Sequence, residues 1–500
     1  MRIADLAGRR VAVWGYGREG RAALAALRAR LPGLRPTLFC SEAEAMAAID
    51  FYRRHSRESG NPAFDSGLKK ELDSCFRRND EQKKSGEPRQ ISALDEGALP
   101  FDIITTPPTA ADLSAFDIVI KSPGISAYRP EILEAQHNGT RFTSGTALWF
   151  AEHPEARVIA VTGTKGKSTV TALVAHLLRS LGRRVALAGN IGMPLLELLD
   201  PPQVPDWWVV ELSSFQTREA ANVEVAVINN VHEEHLDWHG TRERYADDKL
   251  ALADNARMLV ANAAQASLLP RVEAHPCLVG FGHADGWHVE SGAIRRGRQH
   301  VFDLAQSPLP GAHNASNLCA AFAALDAAGE DAVAAAPSIA TFRPLPHRLQ
   351  TLGERDGLTW IDDSIATTPQ ATLEALASLA DREVTVLVGG HDRGLDWAPF
   401  ARHVHAQPPH AIVAMGANGP RIAAQLREVG GAYRLQEAAT LDAAIACARA
   451  LARGRGTILL SPGAPSFDQF KDYAARGCRF AELAGFDPAA IGQIEGLGIA

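Results

Sequence analysis

The chain has 500 residues, 46% apolar and 22% charged, with 51 Lys and Arg against 58 Asp and Glu, the make-up of an ordinary globular protein with room for two to four domains at roughly 100–200 residues each. A net charge of −7 and a pI near 6.2 argue against a general nucleic-acid binder, which carries a basic excess. No apolar run reaches the ~18–20 residues of a membrane span, and the first residues lack the apolar core of a signal peptide, so a cytoplasmic protein without a membrane partner is expected.

The six cysteines (Cys40, Cys75, Cys277, Cys319, Cys447, Cys478) lie far apart with no CxxC spacing. That suits reduced thiols better than a disulfide or zinc framework.

Residues 10–14 predict a strand. Gly15-Tyr-Gly17-Arg-Glu-Gly20 and an Ala/Leu-rich helix to about 31 follow. Glycines there permit a tight turn and let a pyrophosphate approach the helix N-terminus. Alone the motif leaves three readings: some nucleotide, NAD itself, or glycines that serve only helix–strand packing. A second strand is predicted at 37–40, with Glu42 a loose candidate for a ribose contact. Residues 51–90 then depart from the average, with 17 charged residues in 40 and a net charge of +3. Such a stretch cannot bury enough apolar surface to offset its ordering entropy, and a disordered insertion is expected. Residues 116–121 predict a further strand, leading into Ser122-Pro123-Gly124.

A second block opens with a strand at 157–161 and Gly163-Thr164-Lys165-Gly166-Lys167-Ser168-Thr169, then a helix to about 181. Backbone amides of such a loop cradle phosphates, its lysine reaches the β- and γ-phosphates and its hydroxyl holds Mg²⁺. Val161 stands where the strict pattern asks for a first glycine, so the loop is shortened. Strands are predicted at 207–211 and 223–229. Glu211, at a strand end beside the loop, is a candidate Mg²⁺ ligand. His232, His235 and His239 follow the next strand, and zinc is the competing reading for them. Lys249 sits in a charged helical run, where a solvated lysine is the default. The third block carries strands at 358–361, 384–388, 411–414 and 457–460, each followed by Gly, Pro, Asp or Ser. Alternating strands and helices throughout predict an α/β fold with parallel sheets, in which ligands bind at the carboxyl ends of strands.

The ordered set Gly163-Thr-Lys-Gly-Lys-Ser-Thr169, Gly189-Asn190-Ile-Gly192, Glu211-Leu-Ser-Ser-Phe-Gln216, Glu234-His235-Leu-Asp237-x-His239-Gly240, Gly311-Ala-His313-Asn314-Ala-Ser-Asn317, Leu345-Pro-His-Arg348, Asp363-Ser364-Ile-Ala-Thr367 and Ser461-Pro-Gly-Ala-Pro-Ser466 resembles the Mur ligase family, which builds the peptide stem of peptidoglycan. Within it the pattern is similar to members that add glutamate to UDP-N-acetylmuramoyl-L-alanine. The resemblance implies three domains: a Rossmann-like UDP-substrate domain at 1–147, a central P-loop ATPase at 148–345 and a Rossmann-like amino-acid domain at 346–500. It implies ATP and two Mg²⁺ sites, a monomer, and an acyl-phosphate route to the amide. Lys167, Glu211, His235 and Lys249 would be catalytic, with Ser168, Glu211, His235 and a carbamylated Lys249 holding metal. Asn314, Asn317, Arg348 and Asp363 would join the loop around ATP. Gly15, Gly17, Gly20, Ser122, Pro123, Gly124 and Asn190 would face the nucleotide substrate, and Thr367, Arg393, Ser466 and Tyr473 the glutamate.

Three departures fall in the amino-acid pocket. Ile365 replaces a lysine, Arg393 stands where the family often has lysine, and Ser461-Pro-Gly-Ala-Pro-Ser466 replaces a Ser-Pro-Ala-x-Ala-Ser run. An Arg fork grips carboxylate differently from a Lys point charge. The variants resemble the L-glutamate-adding branch, in which a separate epimerase later inverts the residue; D-glutamate is the alternative. An NAD-dependent oxidoreductase or nucleotide-binding regulator would leave the phosphate loop and everything after it without a role.

Overall fold

The computed structural model describes residues 1–58, 90–91, 99–232 and 236–499. Most of the charged stretch, 59–89, lies outside the described residues, as does the candidate His235. The stretch does not begin as an insertion at 51, however, because a helix runs from Glu42–Glu58. Ser41 and Glu44 start it reciprocally: Glu44 N donates to Ser41 Oγ (3.3 Å) and Ser41 N to Glu44 Oε2 (2.9 Å), a capping box. Tyr52 holds it down, buried edge-on against Phe101 at 5.1 Å.

Three sheets follow in chain order. The first runs, in space, Gln90–Ile91, Asp102–Ile104, Thr37–Phe39, Val11–Trp14, Ile118–Lys121, Arg141–Thr143. All its pairs are parallel except the first. The second has ten strands and is parallel through Leu278–Phe281, Ala256–Asn262, Val223–Ile228, Val158–Thr162, Trp207–Glu211 and Val185–Gly189. Trp287–Glu290, Ala293–Arg296 and Gln299–Asp303 extend one edge of it. The third orders Gln350–Arg355, Leu358–Asp362, Thr457–Leu460, Val384–Val388, Ala411–Met415 and Arg434–Ala438, again parallel beyond its first pair. The central strands read as continuous apolar runs because helices cover both faces, as a doubly wound sheet requires.

The last residues do not stay with the third sheet. Gly498–Ile499 pairs antiparallel with Val185–Gly189, and Arg179 Nη2 donates to Gly496 O at 2.7 Å. Among the described residues no helix is long and apolar enough to cross a membrane.

Candidate active site

The strand Val158–Thr162 delivers the glycine loop, and the helix Lys167–Ser180 begins at Gly166. Gly166 has a φ of 76°. A Cβ there would fall 2.4 Å from Asn317 Oδ1 and 2.5 Å from Asn229 Nδ2, so both backbone freedom and space demand glycine. Asn229 Nδ2 donates to Lys165 O (3.1 Å) and to Asn317 Oδ1 (2.8 Å), and Asn317 Nδ2 donates to Asn314 Oδ1 (3.2 Å). The two predicted asparagines of the helix Ala312–Ala327 are thus tied to the loop. Asn230 binds it from the other side, accepting from Thr164 N (2.9 Å) at its carbonyl and from Lys165 N (2.8 Å) at Oδ1. Neither Asn229 nor Asn230 was picked out as a site residue from the sequence, although Asn229 ends a predicted strand and Asn230 directly follows it.

Lys167 Nζ donates to Gly163 O (2.9 Å) and Thr164 O (3.0 Å). Ser168 is half-buried and Thr169 buried at the start of the helix. Lys249 corrects the default reading of a solvated lysine. It is 1% exposed, and its Nζ donates to Gly163 O at 2.9 Å. Its helix, Arg242–Leu250, packs beneath the loop, where Tyr245 Oη meets Thr164 Oγ1 at 2.7 Å.

Glu211 ends its strand beside Val161 and Gly189. Its Oε1 accepts from Asn190 Nδ2 at 2.9 Å. Its Oε2 is buried with no hydrogen-bond partner among the described residues. An ionised oxygen left so is costly unless a cation meets it. This oxygen and the Ser168 hydroxyl, in the first turn of the helix that follows the loop, are the kind of hard donors that Mg²⁺ prefers.

Asn190 also lines a cavity of about 1140 Å³ between the first two sheets. The cavity gathers Gly15, Gly17, Ser122, Pro123 and Gly124 with Cys40, Ser41, Glu42, Arg129, Ser213 and Phe215. Gly20 is not part of it: a Cβ there would lie 1.9 Å from Gly15 O, so this glycine serves helix–strand packing. The seam beside the cavity is closed by Trp238, whose Nε1 donates to Pro123 O (3.1 Å) and whose ring stacks on Phe215 at 4.6 Å. Tyr128 Oη donates to Asp248 (2.7 Å), and His239 Nδ1 meets the same carboxylate at 2.6 Å. His239 Nε2 meets Ser214 Oγ at 3.0 Å, so both its ring nitrogens are taken within the protein, against the zinc reading for this residue. The Asp248 cluster has no contiguous sequence signal and was missed.

In the third sheet, Asp363 is buried and its carboxyl is pushed up to about 7, chiefly by burial, although hydrogen bonds from Ser461 and Leu349 and the charge of Arg348 pull it down. Both its oxygens are used: Oδ1 accepts from Leu349 N (3.1 Å) and Oδ2 from Ser461 Oγ (2.8 Å). Arg348 is half-buried between His347 and Leu349, which have φ of 60° and 44°, a strained connection between the second and third sheets. Thr367 and the exposed Arg393 lie on loops after the strands Leu358–Asp362 and Val384–Val388. No hydrogen bond joins either to Ser466 among the described residues. Ser466 is 2% exposed with its Oγ unpartnered. Tyr473 is exposed at the start of the helix Tyr473–Ala484, and its carbonyl accepts from Ser364 Oγ at 2.8 Å. The residue missed here is Arg476, 1% exposed and held down to about 10 mainly by burial.

Three α/β sheets, a glycine phosphate loop with a lone buried carboxylate oxygen, and a large cavity beside it describe a multidomain nucleotide-using enzyme. The model of the Mur ligase middle domain matches residues 161–325, and that of the Mur ligase glutamate ligase domain matches 347–464. The chain is 49% identical, over the full length of both, to a UDP-N-acetylmuramoyl-L-alanine–L-glutamate ligase of Xanthomonas euvesicatoria pv. vesicatoria. It is 48% identical, again over both full lengths, to one of Xylella fastidiosa. The fold matches the UDP-N-acetylmuramate–alanine ligase MurC of Thermotoga maritima with a TM-score of 0.55 at 19% identity, covering 95% of this chain and 98% of that one. The chain belongs to the Mur ligase family.

Proposed function

We propose that this enzyme joins L-glutamate to the L-alanine carboxylate of UDP-N-acetylmuramoyl-L-alanine at the expense of ATP, in peptidoglycan precursor synthesis. Full-length identity to L-glutamate ligases supports the substrates. The observation that carries the chemistry is Asn190, which joins Glu211 of the phosphate-loop site to the large cavity. On this reading one substrate's acceptor end lies beside the loop.

A carboxylate is a poor electrophile, so it must be activated. The alanine carboxylate takes the terminal phosphoryl group of ATP, the glutamate amine attacks the acyl phosphate, and the tetrahedral adduct loses phosphate to leave the amide. Positioning and charge neutralisation supply most of the rate. The loop amides of residues 163–169 hold phosphates, and Lys167 turns from its carbonyls to the transferring group. Asn314, Asn317, Arg348 and Asp363 complete the ATP site. Mg²⁺, when bound, neutralises phosphate charge; Ser168 and Glu211 would hold one ion, and His235 with a carbamylated Lys249 a second. Carbamylation would turn a buried cation into an oxygen donor. Gly15, Gly17, Ser122, Pro123, Gly124 and Asn190 hold the nucleotide substrate, and Thr367, Arg393, Ser466 and Tyr473 the glutamate. The reading carries with it a cytoplasmic monomer, where ATP and the nucleotide substrate are made, and a separate epimerase downstream.

Phosphate release measured with each glutamate enantiomer tests the proposal. Turnover is expected only with ATP, UDP-N-acetylmuramoyl-L-alanine and L-glutamate together; equal or faster turnover with D-glutamate overturns the enantiomer.

A further inference from the structure

The loops after Leu358–Asp362, Val384–Val388 and Thr457–Leu460 meet at one end of the third sheet. The chain order reverses there, since Thr457–Leu460 returns to pair with both other strands. Ligands of open α/β sheets bind at such a switch point. Arg476 reaches into this junction from the helix behind it. Its Nε donates to Ser364 Oγ (3.0 Å), and its Nη2 to Ser364 O (2.9 Å) and Ala464 O (3.0 Å). Its Nη1 has no partner; among the described residues no carboxylate hydrogen-bonds the guanidinium, although the charges of Asp468 and Asp362 act on it from farther off. A Cβ on Gly390 would come 3.0 Å from Nη1, so the missing side chain is what gives this nitrogen its space. Two residues beyond the Ala464 carbonyl, Ser466 keeps a buried hydroxyl without a partner.

A buried cation with no carboxylate bonded to it is expensive, and an Arg fork with a spare N–H suits a carboxylate. We propose that Arg476, with the Ser466 hydroxyl, receives a carboxylate of the incoming amino acid. Arg476 supplies the cation that Ile365 does not. The assignment rests on the glutamate-ligase reading and adds to it the residue that recognises the acid.

Kinetics on the full chain compare wild type with Arg476→Lys and Ser466→Ala. Glutamate is set against glutamine, an amide at the side chain, and isoglutamine, an amide at the α-carboxylate, each with ATP and UDP-N-acetylmuramoyl-L-alanine. In Arg476→Lys the glutamate KM should rise about 10-fold or more, with the KM of ATP and of the nucleotide substrate steady. Preference for glutamate over one of the two amides should fall by a similar factor. A rise of all three KM values together, or an undiminished preference over both amides, overturns the proposal. Should Arg476→Lys not fold, Ser466→Ala decides, since it leaves all three hydrogen bonds of the guanidinium in place: an unchanged glutamate KM overturns the pairing, and a rise of several-fold in that KM alone supports it. Failure of the ligase reading shows separately, as a wild-type enzyme that releases no phosphate on addition of glutamate, and takes this proposal with it.

Discussion

The phosphate-loop region and the third-sheet pocket both bury charge at strand ends, but they compensate it differently. Lys167 and Lys249 are seated on carbonyls of the loop itself, so the cations and the backbone that positions them are one unit. Arg476 instead ties two separate loops and keeps an unmatched N–H. The carboxylates divide the opposite way: Asp363 of the third sheet uses both oxygens within the fold, whereas Glu211 beside the loop leaves one without a donor. An unmet buried polar atom costs roughly 1–3 kcal/mol. A satisfied charge can hold the fold without a ligand, while an unsatisfied one needs a ligand; Lys167, Lys249 and Asp363 are satisfied here and are assigned to ligands as well. Substituting the first kind should cost stability, and substituting the second should cost function.

Lys167→Ala is the hardest test, because this lysine is seated on the loop and also assigned to the transferring phosphate. The kcat for phosphate release is expected to fall about 10²–10³-fold, with the melting temperature within a few degrees of wild type. A variant that melts early but keeps its kcat would put Lys167 with the structural charges and remove its assignment to the transferring phosphate. Glu211→Gln comes next. It removes a lone charge, so the fold should hold, while the Mg²⁺ concentration for half-maximal activity rises about 10–100-fold. An unchanged Mg²⁺ titration would mean that the orphan oxygen faces no metal.

These two residues were legible in the sequence because their motifs are contiguous: one loop, and one apolar strand ending in an acid. Strand Trp207–Glu211 was read to the residue. The strands Trp287–Glu290 and Gln299–Asp303 were not, because charged and polar residues break their apolar pattern. Arg476 was illegible for a different reason. Its helix also carries Arg479, which is half-buried and paired with Asp442 and Glu482, and nothing local separates the two arginines. Lys249 shares a nine-residue helix with five other charged residues; only the strands and loop packed over it make it a buried residue. The Asp248 cluster joins positions 120 residues apart, a juxtaposition that only the tertiary fold creates.

The seam between the first two sheets sharpens the comparison with a charge that is neither satisfied nor clearly aimed at a ligand. Glu19 is pushed up to about 7, chiefly by burial and then by the neighbouring charge of Glu219. A carboxyl with a raised folded-state pKa binds its proton more tightly folded than unfolded. The contribution of Glu19 to stability should therefore fall as pH rises from about 4.5 to 7 and level off above. Glu19→Gln should remove this loss: its melting temperature should match wild type near pH 4.5 and exceed it at pH 8, by up to about 3 kcal/mol of stability. Because Glu19 also lines the cavity, a variant that gains stability but loses affinity for the nucleotide substrate would move this residue to the ligand-facing class.

Tyr128→Phe should have the smallest effect, and it isolates a satisfied charge. Tyr128 Oη is one of several donors to Asp248, beside Arg218 and His239. Removing it leaves the carboxylate paired, so the loss is one hydrogen bond to a charged group, about 1.5–3 kcal/mol, and less where the other donors close in. Asp248 directly precedes Lys249, and the two share a helix under the phosphate loop. If the cluster only joins the two sheets, thermal melts should shift down while kcat and the KM of ATP stay at wild-type values. A fall in kcat at unchanged stability would instead show that Asp248 sets the position of Lys249, and a satisfied charge would then be serving the reaction through its neighbour.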